Sequence, residues 1–108
     1  MIKSANKDGD KEFVLEASLS DKYAPKNTGV FNVDMQPFDY GNIKKTQKWR
    51  YDATTHSLHS HQYPEKVMFE SFNRNLIVFN YKPNMKNEAF SFDLEHQNWY
   101  NRHTNRVL

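Results

Sequence analysis

Three imidazoles fall close together at His56, His59 and His61, and the last two are spaced to share one face of a strand. Such a pair could hold a metal ion, but no cysteine and no clear third ligand accompanies it. A solvated strand face is the better reading, and no metal is expected. Lys44, Lys45, Lys48 and Arg50 form a basic group able to meet phosphates, yet the net charge is only +2. The group reads as a wet outer face, and nucleic acid is not expected as a partner. Glu12, Glu16 and Glu65 make no carboxylate pair that spacing could set at glycosidase distance. The three glycines are isolated, so no phosphate-cradling loop forms, and no nucleophile elbow or Ser/His/Asp order is present. These residues argue against an enzyme and call for no cofactor.

The elements that must carry these side chains are organised around Gln47-Lys48-Trp49-Arg50-Tyr51-Asp52 and its echo, Glu88-Ala89-Phe90-Ser91-Phe92-Asp93. Forty-one residues separate Trp49 from Phe90 and Tyr51 from Phe92. Strand side chains alternate faces, so Trp49, Tyr51, Phe90 and Phe92 are expected inside while Lys48, Arg50 and Ser91 point out. A period of this size marks a repeated supersecondary unit.

The rest of the chain fits that unit. Residues 1 to about 10 are polar and read as a loose arm. Phe13-Val14-Leu15-Glu16 opens a first unit as a strand, and Ser18 to Gly29 is polar with a turn at Asn27-Thr28-Gly29. Val30 to Val33 is a second strand, Pro37 to Asn42 a loop, Gln47 to Asp52 a third strand and Ser57 to His61 a fourth. The second unit repeats this order with Val67 to Glu70, a turn over Phe72 to Asn75, Leu76 to Phe79, a loop at Lys82-Pro83-Asn84, Ala89 to Asp93, and Trp99-Tyr100. Asn105 to Leu108 resembles the two openings and starts a third. No segment carries a sustained helical stripe, so the fold class is all-β, with short antiparallel strands. At 37% hydrophobic residues the core is thin, and aromatics at 15% partly compensate. Residues 1–10 hold no apolar run of signal-peptide length and nothing later approaches a membrane span, so the chain is expected to be cytoplasmic, or extracellular if a leader or upstream domain is missing.

Gln47-Lys48-Trp49, set in a repeat with matching openings, resembles the Gln-x-Trp repeat of ricin-B-type β-trefoil lectin domains over residues 11 to 108. The resemblance implies a β-trefoil-like barrel built from three units of about forty residues. Lobe one would span about 11–64, lobe two about 65–104, and the start of lobe three 105–108. This chain departs from the pattern in having Glu88-Ala89-Phe90 in the second unit, glutamate for the opening aspartate, no cysteine and no full third unit. A barrel lacking a third of its strands leaves open edges. The chain is therefore read as the start of a longer one, as one incompletely represented, or as a piece completed by another subunit.

The resemblance also implies a shallow sugar site in each functional lobe: an acidic side chain forks two hydroxyls, an aromatic stacks on the pyranose face, and an amide adds a contact. Carried over, lobe two offers Glu70, Phe79 and Asn87, and lobe one offers Glu16, Phe31 and Gln47. The expected function is a non-catalytic carbohydrate-binding module reading a galactose-like or N-acetylated glycan. The alternatives, both favoured by the missing third unit, are a structural trefoil that assembles with other protein subunits and the lectin appendage of a larger enzyme.

Overall fold

The computed structural model describes residues 1–9, 11–18, 30–71, 75–83 and 85–108. The polar stretch expected over 19–29, most of the Phe72–Asn75 turn and single positions at Asp10 and Asn84 lie outside the described residues. Nine strands follow in order: β1 (Lys3–Asp8), β2 (Lys11–Ala17), β3 (Phe31–Pro37), β4 (Trp49–Asp52), β5 (Ser57–Ser60), β6 (Lys66–Glu70), β7 (Leu76–Asn80), β8 (Phe90–Asp93) and β9 (Asn98–Asn101). No α-helix occurs among the described residues, so the chain is all-β, as its alternation and turn residues require. Seven strands form one curled antiparallel sheet in the order β1-β2-β3-β7-β6-β5-β4, and β8 and β9 form a separate hairpin. No described helix is long and apolar enough to cross a membrane.

Two expectations change. Residues 1–10 are not a loose arm over their described part: β1 pairs with β2, and Ile2 and Ser4 are buried at alternate positions. The signal is the Ile2-Lys3-Ser4 alternation, which is short and outweighed by the polar residues around it. Gln47 does not begin a strand, and neither does its counterpart Glu88, expected just ahead of one. Each closes a single 3₁₀ turn, Lys45–Gln47 and Lys86–Glu88, that delivers the chain into β4 and β8.

The 41-residue offset is a repeat of hydrogen bonds as well as residue types. The Gln47 and Lys48 amides donate to the carbonyls of Lys44 and Lys45, as Glu88 and Ala89 do to Met85 and Lys86. Asp52 Oδ1 accepts from the amides of Thr54 and Thr55, as Asp93 Oδ1 does from Glu95 and His96. His56 and Gln97 hold the left-handed turn position, with φ of 59° and 57°. The His61 amide reaches the Lys48 carbonyl, as the Arg102 amide reaches that of Ala89.

Three like strand junctions surround the core. The Leu15 amide donates to the Ile2 carbonyl, the His59–Val67 pairing sets Leu58 beside Met68, and the Leu108 amide donates to the Trp99 carbonyl. Ile2, Leu15, Leu58, Met68, Phe90 and Leu108 form one buried cluster, with Trp49, Tyr51 and Trp99 packed against it. Burying each of these aliphatic side chains stabilises the fold by about 1.5–3 kcal/mol before entropy is charged against it. Phe90 is fully buried and Trp49 and Tyr51 half-buried; Phe92 shares the face of Phe90, as expected, but is left 41% exposed.

Candidate functional site

The six residues expected to hold sugar do not converge. In the β6–β7 ladder Glu70 stands opposite Leu76 and Phe79 opposite Val67, so Glu70 and Phe79 lie on opposite faces of the sheet. In β2–β3, Glu16 faces Asp34, which puts Phe31 on the other side. Each carboxylate is also engaged. Glu16 accepts from Thr46 Oγ1 at 3.0 Å and from Gln47 Nε2 at 3.2 Å, so the structure joins Glu16 and Gln47 as a brace between β2 and the 3₁₀ turn. Glu70, its side chain only 5% exposed, pairs with Arg106 at 2.8 Å and accepts from the Thr104 hydroxyl. Asn87 meets Glu70 only at the backbone carbonyl. Lys82 sits over the Phe79 ring and Lys66 over that of Phe31.

Ladder position explains the mismatch. Leu15, Met68 and Leu108 occupy the same place in the three junctions, so Glu16 corresponds to Phe69 and not to Glu70. Aligning the two openings on their glutamates slips the register by one, and a slip of one exchanges faces.

The histidines have local work. His59 Nδ1 lies 3.1 Å from the Pro64 carbonyl and Nε2 lies 3.0 Å from Ser57 Oγ, so both ring nitrogens are occupied. No cluster of metal-ligating side chains occurs among the described residues. Lys44, Lys45, Lys48 and Arg50 are exposed, Lys48 and Arg50 as their alternation with Trp49 requires.

The joint between the two units points to a different place. The Phe90 amide donates to the His56 carbonyl at 2.7 Å, and Tyr51 Oη donates to the Phe90 carbonyl at 2.8 Å. The Tyr51 ring meets Trp99 edge-on with centroids 5.0 Å apart. Strand β8 thus covers the ring, the left-handed turn and the end of β5 in the first unit. Forty-one residues on, the matching positions are Phe92, Gln97 and Trp99; Trp99 packs against the core, but no strand among the described residues lies over Phe92 and Gln97 as β8 lies over Tyr51 and His56.

What remains open there is apolar. Phe92 stacks on Trp99 with centroids 5.3 Å apart, its outer side free. Leu94 is 84% exposed and Val107 54%. With Asp93, Glu95 and Tyr100 they line a groove of about 530 Å³. Val107 also lines a second hollow of about 230 Å³ with Met35, Leu76 and Leu108, rimmed by the Glu70–Arg106 pair. Only the inner end of this region is closed: the Ala5 amide finds the Leu108 carbonyl, where its counterparts His61 and Arg102 find carbonyls of the strand before them. Burying a leucine fully is worth about 1.5–3 kcal/mol, so a hydrophobe at the tip of a hairpin turn forgoes most of that.

The groove is acidic. A hydrogen bond from the His96 side chain, aided by backbone amides, holds the Asp93 carboxyl below its ordinary range. Asp52 is held low in the first unit by the Thr54 and Thr55 amides. A third cleft, about 390 Å³, lies between the turn at Thr54 and Thr55 and the Lys86–Glu88 turn, with Tyr81 on its wall. Glu88 is 3% exposed there, and burial pushes its carboxyl up against the pull of the Lys82 and Met85 amides.

The sequence held signals for this region. Leu94 stands where the first unit has Ala53, an apolar residue in a turn, and Phe92 stands where it has Tyr51. No protein family, curated protein or solved structure matches the chain.

Proposed function

We propose that this chain is a non-catalytic protein-interaction module of β-trefoil type, completed at its third position by another protein subunit. The observation that carries this reading is the exposure of Phe92, at 41%, and of Leu94 in the turn beyond it, where Tyr51, the first unit's equivalent of Phe92, is joined to β8. The repeated hydrogen bonds and the three like strand junctions support the trefoil, because two such units with a threefold set of core contacts leave one hairpin position vacant. A photo-crosslinking residue at position 94 should give one discrete protein adduct that Phe92→Asp abolishes, while the same residue at position 48 gives none. Equal labelling from both positions would remove the reading.

A second reading, a carbohydrate-binding module, draws on the cleft beside Glu88. It sets a carboxyl, the Tyr81 ring, the Lys86 ammonium and two threonines around a space suited to a pyranose. Array binding abolished by Tyr81→Ala would favour it; array binding abolished instead by Glu70→Ala would restore the site that the resemblance implies.

A further inference from the structure

We infer that the backbone edge at Asn105–Val107 takes an extended segment of a partner protein by antiparallel strand addition. The segment carries an apolar side chain opposite Leu108 and a basic one opposite Val107. This rests on the interaction-module reading and adds to it the place, register and chemistry of the incoming strand. Val14, Val67 and Val107 stand just before Leu15, Met68 and Leu108, which occupy the same place in the three junctions. Val14 pairs with Gln36 of β3 and Val67 with Phe79 of β7, and both valines are fully buried. Val107 bridges to Tyr100 of β9 alone among the described residues and is more than half exposed. The bonds from the Leu108 amide to Trp99 and from the Asn101 amide to Arg106 bracket that bridge, so the Val107 amide and carbonyl point away from β9. Neither finds a backbone partner among the described residues. Two residues earlier the pattern repeats. The Glu12 carbonyl accepts from the Phe38 amide and the Glu65 carbonyl from the Tyr81 amide, while no described backbone amide reaches the Asn105 carbonyl. One donor and two acceptors thus stand in a row where the first two units place β3 and β7.

The surroundings of this edge set what the strand carries. A residue opposite Leu108 takes the place that Met35 and Val78 hold opposite Leu15 and Met68. It faces the hollow lined by Leu15, Val33, Met35, Leu76 and Leu108, which suits an apolar side chain. The next residue, opposite Val107, emerges on the other face, into the groove that Val107 shares with Tyr100, Asp93 and Glu95. No lysine or arginine lines that groove, so its carboxylates favour a long basic side chain there. Backbone pairing supplies affinity in this mode of recognition, and the two alternate side-chain pockets supply choice.

The test uses the full chain and a synthetic peptide copying residues 31–38 with Gln36→Lys, in which Met35 supplies the apolar side chain and position 36 the basic one. NMR titration should show saturable amide shifts at Asn105, Val107 and Leu108. Methylating the peptide nitrogen at position 36 removes the donor to the Val107 carbonyl and should weaken binding about tenfold. Methylating that at position 35, which points away from this edge, should weaken it less than about threefold. In the chain, Val107→Pro deletes an amide that the free fold leaves without a backbone partner. It should abolish the shifts with little change in the thermal melt, while Val107→Ala should keep them. A peptide with Gln36→Glu should bind about tenfold more weakly than one with Gln36→Lys, the gap narrowing at high salt. Equal binding of those two peptides, indifference to methylation at position 36, or shifts centred on β2 and β7, the neighbours of β3, overturns the inference. Dimerisation that Val107→Pro abolishes, without peptide binding, puts a second copy at the edge and overturns the partner assignment. If no peptide binds while the adduct from position 94 persists, this inference falls and the interaction reading stands. If the adduct is also absent, both fall.

Discussion

Replacing Tyr51 with phenylalanine tests the joint on which the whole arrangement depends. Its phenol hydrogen goes to the Phe90 carbonyl, which can only accept, so the His56 Nδ1 at 2.9 Å must carry a proton and donate to the phenol oxygen. Phe90 has turned away from its hairpin partner: its amide serves His56, while Asn101, opposite it, donates to Arg106. The Phe90 carbonyl therefore relies on Tyr51. Removing one oxygen deletes two hydrogen bonds, each worth about 0.5–1.5 kcal/mol net, and strands a partly buried carbonyl. His56 is half-buried and can recover its bond from water, so the expected loss is about 1.5–2.5 kcal/mol. Urea unfolding followed by fluorescence of the two tryptophans should show a lower midpoint with an unchanged slope. Phe92→Tyr, the reciprocal change, should stay within about 0.5 kcal/mol because nothing waits for its hydroxyl in the free chain. A loss below 0.5 kcal/mol for Tyr51→Phe, or equal effects at both positions, would refute the equivalence of the two joints.

Phe90→Ala empties a fully buried position and should cost about 3–5 kcal/mol in the same melts, whereas Lys48→Ala, exposed on β4, should cost under about 0.5 kcal/mol. Glu88 stands where the first unit has Gln47, and burial raises its carboxyl; in the window between its unfolded and its raised folded value the native state holds the extra proton, so stability falls as pH rises through that window. Glu88→Gln should thus stabilise by about 1 kcal/mol at neutral pH, with the gain disappearing in acid once the wild-type carboxyl is protonated. Asp93 behaves oppositely: its lowered carboxyl contributes stability above its unfolded value and loses it as pH falls through the folded one. His96→Ala should move the Asp93 titration upward when carboxyl carbons are followed by NMR.

The fold was legible wherever chemistry repeats at a fixed spacing. Trp49 and Phe90, Asp52 and Asp93, and the left-handed His56 and Gln97 all sit at one offset, and each local bond follows from residue type. The sugar site was not legible, because it depended on pairing Glu16 with Glu70 across a one-residue slip that only the ladder reveals. β1 was missed for a related reason: the inward residues at this end, Ile2 just before the strand and Ser4 within it, are too few to outweigh Lys3, Lys7 and Asp8 in a composition reading. Phe92 was misread because alternation predicts facing but not coverage. It does share the inner face with Phe90, yet what would lie over it belongs to a position that the described chain leaves empty.

That last distinction bears on function. A position left open by chance would be expected to turn polar, since nothing rewards an exposed leucine in a turn. The second unit instead replaces Ala53 with Leu94 and has phenylalanine where the first unit has a hydrogen-bonding tyrosine. Both differences add exposed apolar surface to this end of the hairpin. The same alternation that joins Tyr51 to β8 in the first unit leaves Phe92 open in the second, the difference lying in whether a described strand lies over the ring.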